Sequence, residues 1–259
     1  MSYLDSLFNL KGKVAVVLGG TGDLCGQIAM GLAKAGCQVV LSGRDELKAF
    51  DRVEAIEAEG GTAYFVEAEV TESGSLEALV DIVSERSGRI DILINGAAIN
   101  SRNAMENVSE DELTKIFDVN FNGTFRACQI FSNYFKQHDR PTSIINIGSI
   151  SGINPLSDRF VQSASKAAIH NLTRNLAREW AEFDIRVNTL IPGFFPAKQS
   201  ATMLDDARVL EILRQTPASR FGNPEELVGA TLLLASPSAS SFITGSEIVV
   251  DGGFSTTSI

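Results

Sequence analysis

The sequence predicts an α/β fold: a doubly wound parallel sheet of about seven strands with helices on both faces. Three observations predict it. Short apolar runs recur without polar alternation, as at residues 13–18, 90–94 and 143–147, and a strand that is apolar at every position is one covered on both faces. Stretches of helical periodicity separate these runs, and strand–helix alternation implies parallel pairing through right-handed crossovers. Glycines at 19, 20, 22 and 26 stand between the first run and the first helix.

A chain of 259 residues, 44% hydrophobic and 21% charged, can bury one large core, so a single domain over 1–259 is expected. The net charge of -10 and pI near 4.8 exclude a phosphate-binding face for nucleic acid. Cys25, Cys37 and Cys128 show no metal-ligand spacing and accompany only two histidines. That pattern fits reduced intracellular packing thiols, with no metal. No leader-like N-terminus and no membrane-length apolar run is present, so a cytoplasmic protein without a membrane partner is expected.

The first strand, 13–18, passes through Gly19-Gly20-Thr21-Gly22-Asp23-Leu24-Cys25-Gly26 into a helix over 27–36. Strand, glycine turn and helix N-terminus together point backbone amides at a pyrophosphate. Asp23 has two readings: a helix-opening carboxylate favoured by the dipole, or a charge that repels a nearby phosphate. The second strand, 37–42, ends at Gly43-Arg44. An acid at position 43 would bind a ribose 2′-hydroxyl; its absence, with Arg44 next, leans toward a 2′-phosphate and so from NAD toward NADP. A helix over 46–59, a strand over 62–66, the Glu69-Val70 pair, a helix over 75–87 and a strand at 90–94 follow. That strand runs into Asn95-Gly96-Ala97-Ala98. Helices are then predicted over 110–121 and around 125–137, with Asp118-Val119-Asn120 late in the first. A strand over 185–191 ends in Pro192-Gly193, and residues 245–253 supply the last strand and closing turn.

The central stretch is Ser143 to Arg174. An apolar strand ends at Ser149, a loop passes Gly152 and Pro155, and a helix then carries Gln162 and, four residues on, Lys166. Residues four apart share a helix face. With the glycine turn, Asn95, Asp118-Val119-Asn120 and Pro192-Gly193, this layout resembles the short-chain dehydrogenase/reductase family over residues 13–254, which implies a Rossmann-like sheet. The resemblance implies Asn120, Ser149, Gln162 and Lys166 as catalytic residues, with Gln162 standing where the family has tyrosine. It further implies an NAD or NADP site built from Gly19, Thr21, Gly22, Asp23, Leu24, Arg44, Glu69, Val70, Asn95, Ala97, Lys166, Pro192, Gly193 and Phe195. Leu18, Asp23, Cys25, Gly96, Ala98 and Ala197 depart from the family pattern.

A phenol beside an ammonium passes a proton to a carbonyl oxygen; a carboxamide donates hydrogen bonds but no proton. Tyr3, Tyr64 and Tyr134, the only tyrosines, are not placed to replace it. A water or the ribose hydroxyl would then deliver the proton. His170, one turn beyond Lys166, reads as a helix-interface contact. Arg220-Phe221-Gly222-Asn223-Pro224 and Pro192-Gly193-Phe194-Phe195-Pro196 resemble the fructuronate and mannonate oxidoreductase branch. That implies a small-molecule partner, a sugar acid, ketose or polyol, under a substrate lid at 194–215, in a homodimer or homotetramer. Two alternatives stand beside this: a tyrosine-lacking dienoyl-CoA-type reductase, and a nucleotide-binding protein of this fold with impaired catalysis.

Overall fold

The computed structural model describes residues 2–195 and 206–256. Seven strands form one parallel sheet in the order β3-β2-β1-β4-β5-β6-β7: Val14–Leu18 (β1), Gln38–Gly43 (β2), Thr62–Glu67 (β3), Ile92–Asn95 (β4), Thr142–Ile147 (β5), Ile185–Pro192 (β6) and Glu247–Val250 (β7). Ten α-helices accompany it: Tyr3–Phe8 (α1), Asp23–Lys34 (α2), Glu46–Ala58 (α3), Ser73–Ser87 (α4), Glu110–Phe117 (α5), Gly123–Lys136 (α6), Phe160–Trp180 (α7), Asp206–Gln215 (α8), Val228–Ala235 (α9) and Pro237–Ser240 (α10).

All five residues of β1, all four of β4 and all eight of β6 are buried, which is why these strands read as unbroken apolar runs. One core lies between the sheet and α4, α6 and α7, with Phe131 and Phe135 fully buried. A second lies between the sheet and α2 and α9, around Ile28 and Leu32. The chain leaves β1 toward β2 and β3, then returns to the other side of β1 as β4. That reversal opens a crevice at the carboxyl ends of β1 and β4, where open α/β sheets bind ligands.

Two predicted boundaries move by more than two residues. The first Rossmann helix begins at Asp23, four residues before the expected start, because Gly22 caps it in extended conformation. The helix expected over 110–121 ends at Phe117; Asp118–Asn122 make a π turn before α6 begins at Gly123. Such bulges often lie at functional sites. Here the bulge turns Asn120 wholly inward.

A polar ladder crosses the sheet beneath the site. Asn95 Nδ2 donates to Asn146 Oδ1 at 2.8 Å, Asn146 Nδ2 to Thr173 Oγ1 at 2.9 Å, and Thr189 Oγ1 to Thr173 Oγ1 at 2.9 Å. These bonds, away from water, pin α7 in register on β4, β5 and β6. They fix where Gln162 and Lys166 stand relative to Ser149. Among the described residues, no helix is long and apolar enough to cross a membrane.

Candidate active site

The crevice is a cleft of about 220 Å³ whose walls come from four strand ends: Leu18 to Gly22, Ser42 to Arg44, Ala68 to Val70, and Gly96 to Ile99. Gly19 sits at φ +75°, and a Cβ there would lie 2.8 Å from the Ala97 nitrogen. Glycine is therefore required for both the turn and the close approach. Gly22 and the amide end of α2 follow at once. Ser42 Oγ is buried in this wall with no hydrogen-bond partner among the described residues. An open glycine turn, a helix N-terminus and an orphaned hydroxyl fit a bound dinucleotide.

Of the predicted cofactor residues, Gly19, Thr21, Gly22, Arg44, Glu69, Val70 and Ala97 line this cleft. Six others are placed elsewhere. Asp23 opens α2 and pairs with Arg52 at 3.0 Å, so its carboxylate is turned toward α3. Leu24 packs against the α2 core. The Asn95 amide belongs to the ladder below the cleft, and Phe195 lies over Gly222 in a separate cleft near Asp251. Pro192 ends β6, and Gly193 packs against Asp251. Ala197 and the rest of 196–205 in the expected lid fall outside the described residues, while 206–215 form α8.

Cys25 and Gly96 occupy one another's space. A Cβ on Gly96 would meet Cys25 Sγ at 2.1 Å. The two departures from the family pattern are thus a matched pair, the thiol filling the volume that a side chain at 96 would need. Burial pushes the Cys25 thiol up to about 11, with the nearby Lys166 charge opposing. Cys25 is accordingly a neutral packing group.

The remaining candidates gather at the end of β5. Ser149 leaves the strand with extended backbone, and its Oγ accepts the Ser151 N–H at 3.1 Å and the Ser151 hydroxyl at 2.9 Å. With both acceptor directions taken, the Ser149 proton is left to donate outward. Lys166, 4% exposed, donates from Nζ to the Ile147 carbonyl at 2.6 Å. Burial pulls its pKa down to about 8. Gln162 stands one turn before it, half-buried, its carboxamide without a hydrogen bond among the described residues. Asn120 Oδ1 accepts the Ile99 N–H at 2.8 Å, and its Nδ2 donates to Ile99 O at 3.0 Å and Ser165 Oγ at 3.2 Å. Its amide therefore clamps the π turn to the loop after β4 and to α7. The tyrosine hydroxyls are elsewhere: Tyr64 bonds Ser87, Tyr134 accepts from Arg140, and Tyr3 lies exposed on α1.

Sequence reading missed a cationic group at the start of α7, the helix that carries Gln162 and Lys166. Asp158 holds φ 59°, which turns the chain so that Arg159 precedes α7 by one residue and Gln162 by three. Arg159 Nη1 donates to Ser101 O at 3.2 Å, and Arg102 Nε lies 3.7 Å from the Asp158 carboxylate. Burial, then the charges of Arg102 and Arg208, lower the Arg159 pKa from its ordinary value, with the Asp158 carboxylate opposing. Cations crowded in this way welcome an anion. The arginines are far apart in the chain, and no local motif announces them.

Comparison with known proteins places this geometry. A family model described as enoyl-(acyl carrier protein) reductase matches residues 24–255. The oxidoreductase UxuB of Bacillus subtilis is 38% identical over 267 aligned residues, covering 95% of this chain and 96% of its own. The 2-dehydro-3-deoxy-D-gluconate 5-dehydrogenase of Escherichia coli is 34% identical over 254 residues, covering 96% and 98%. The crystal structure of a gluconate 5-dehydrogenase from Burkholderia cenocepacia, in complex with NADP and tartrate, superimposes with a TM-score of 0.93 at 31% identity, over 99% of this chain and 100% of that one.

Proposed function

Because the chain belongs to the short-chain dehydrogenase/reductase family, we propose that it is an NAD(P)-dependent oxidoreductase that interconverts a ketone and a secondary alcohol on a sugar acid. The observation that carries the substrate class is the pair Arg102 and Arg159, held through Asp158 and Ser101 just before α7, the helix that carries Gln162, in a chain of net charge -10. A carboxylate there relieves the repulsion between the arginines and holds the carbon chain across the Ser149 hydroxyl. Relatives named for gluconate and keto-gluconate chemistry support the same reading. An acyl chain on an acidic carrier is the weaker choice, since like charge opposes docking to this surface.

A nicotinamide dinucleotide held by the Gly19–Gly22 turn, Arg44 and Glu69 would supply or accept the hydride. The protein's own residues handle the oxygen. Ser149 donates its free proton direction to the substrate oxygen, and the buried Lys166 ammonium stabilises negative charge developing there. The Gln162 carboxamide donates a hydrogen bond to that oxygen and fixes its position. Because Gln162 stands in the tyrosine's place without an ionisable proton, protonation falls to solvent water, and turnover is slowed. Asn120 keeps the π turn and α7 in register. The same reading includes a cytoplasmic homo-oligomer, supported by the partly exposed Phe117–Phe121–Phe125 stack beside α6.

Calorimetric titration with NADP⁺ and NAD⁺, followed by nicotinamide absorbance with gluconate-type acids and their keto forms, tests the proposal. No binding of either dinucleotide sinks it. Arg159→Met is expected to raise KM for a carboxylated substrate about tenfold or more, the loss of roughly 1.5–3 kcal/mol for a charge-assisted bond, while leaving a neutral polyol of the same length unaffected.

Cofactor preference has its own test. Arg44 Nη1 lies 3.4 Å from Glu69 Oε2, with Arg44 67% exposed. The carboxylate thus competes for the cation that would hold a 2′-phosphate. Exposed pairs are worth about 0.2–1 kcal/mol. Glu69→Gln is therefore expected to tighten NADP⁺ binding up to about fivefold, with little change for NAD⁺, as read by calorimetry.

A further inference from the structure

His170 does more than fill a helix interface. Its ring lies in a slot that two glycines make for it. A Cβ on Gly148 would stand 2.4 Å from His170 Nε2, and a Cβ on Gly152 would stand 2.8 Å from its Cε1. These glycines bracket Ser149 on both sides. Between them the Ser149 backbone N–H donates to His170 Nε2 at 3.4 Å. The histidine is 4% exposed and sits one helical turn beyond Lys166 on α7.

We propose that His170 is a positioning residue for Ser149: its neutral imidazole accepts the Ser149 amide and fixes the strand end from which the serine hydroxyl faces the substrate oxygen. The acceptor must be an unprotonated Nε2, so the ring carries its proton on Nδ1. Protonation puts an N–H against an N–H across the same contact. Ser149 then loses the partner of its N–H, although Gly152 N–H still holds its carbonyl at 2.9 Å and Ser151 its Oγ.

The charges around the ring favour the neutral form. Burial acts first; Glu247 of β7 opposes it, and Lys166 and Arg174 of α7 reinforce it, so the His170 pKa lies below its ordinary value. Glu247 is itself paired with Arg174, which reduces its pull on the imidazole. The folded state therefore binds the proton less readily than the unfolded chain, and both stability and Ser149 placement are lost as pH falls below the ordinary histidine range.

The inference rests on the proposed oxidoreductase reading for its kinetic consequence, but not for its geometry. The chain has only two histidines, so nitrogen-15 NMR resolves His170 from His138. The expected result is an Nδ1–H tautomer for His170 at neutral pH and a Ser149 amide resonance that shifts with the same midpoint as the His170 ring. In turnover, kcat falls on the acid side at that midpoint while KM for the dinucleotide stays flat. His170→Gln keeps an acceptor and is expected to hold kcat at neutral pH within about threefold while losing the acid limb. His170→Leu, checked for folding by its thermal transition, is expected to lose about tenfold or more in kcat at every pH. A Ser149 amide indifferent to the His170 titration overturns the proposal, as does an acid limb that survives in His170→Gln. If no sugar acid is turned over, the NMR arm still decides the matter, so the two failures are distinct.

Discussion

Gln162→Tyr is expected to raise kcat for ketone reduction by about 10²-fold or more, the usual worth of a positioned general acid. Three features of the site make this the most informative single substitution. The Gln162 carboxamide has no hydrogen bond among the described residues, so its removal breaks no network. It is half-buried at the third position of α7, one turn before Lys166. Lys166 stands one turn away with its pKa drawn down to about 8, close to the range in which an ammonium helps a phenol release its proton. The variant should also add a second limb to the parent's acid limb, with oxidation of the alcohol rising as the phenol ionises. Steady-state kinetics at several pH values, with dinucleotide affinity measured alongside, decides it. A folded variant that binds cofactor equally and turns over no faster would mean that Gln162 does not stand in a proton donor's place.

The strands could be read from sequence because burial on both faces erases alternation, as in β1 and β6, where every residue is buried. Helix limits were less legible. The π turn at Asp118–Asn122 keeps Phe117, Phe121 and Phe125 at helical spacing, so periodicity runs through it unbroken. Among the site residues, glycines of the first turn were readable because backbone approach alone assigns them. Asn95 was not, since a motif position at a strand end does not say which face its amide takes; here it points into the ladder with Asn146. Asp23 likewise found Arg52 on α3, a partner visible only once the helices pack. The arginines before α7 and the Gly148–His170–Gly152 slot lay beyond sequence reading for the same reason. Each depends on contacts between distant segments, although a glycine on either side of Ser149 was a signal that something bulky fits there.

Lys166→Met should separate function from stability most sharply. Loss of the ammonium is expected to lower kcat by about 10²-fold or more, the scale of removing a preorganised charge from a reacting oxygen, and to weaken dinucleotide binding. Yet the same change should leave the fold at least as stable at pH 7. The folded-state pKa of about 8 lies below the ordinary 10.5, so keeping the group charged in its buried place costs about 3 kcal/mol at neutral pH. Against this, methionine leaves the Ile147 carbonyl without its Lys166 donor, a cost of roughly 1–3 kcal/mol for a buried acceptor. Methionine removes the buried charge and fills similar volume with an apolar chain, which leaves a net gain on the order of 1 kcal/mol. The pH dependence carries the sign. Between about pH 8 and 10.5 the unfolded chain binds more protons at this position, so wild-type stability climbs across that window, and Lys166→Met is expected to lack that rise. Denaturant melts at pH 7 and pH 10 measure it directly. A variant that keeps turnover within tenfold, or that loses several kcal/mol at pH 7, would show that Lys166 is held for packing and not for its charge.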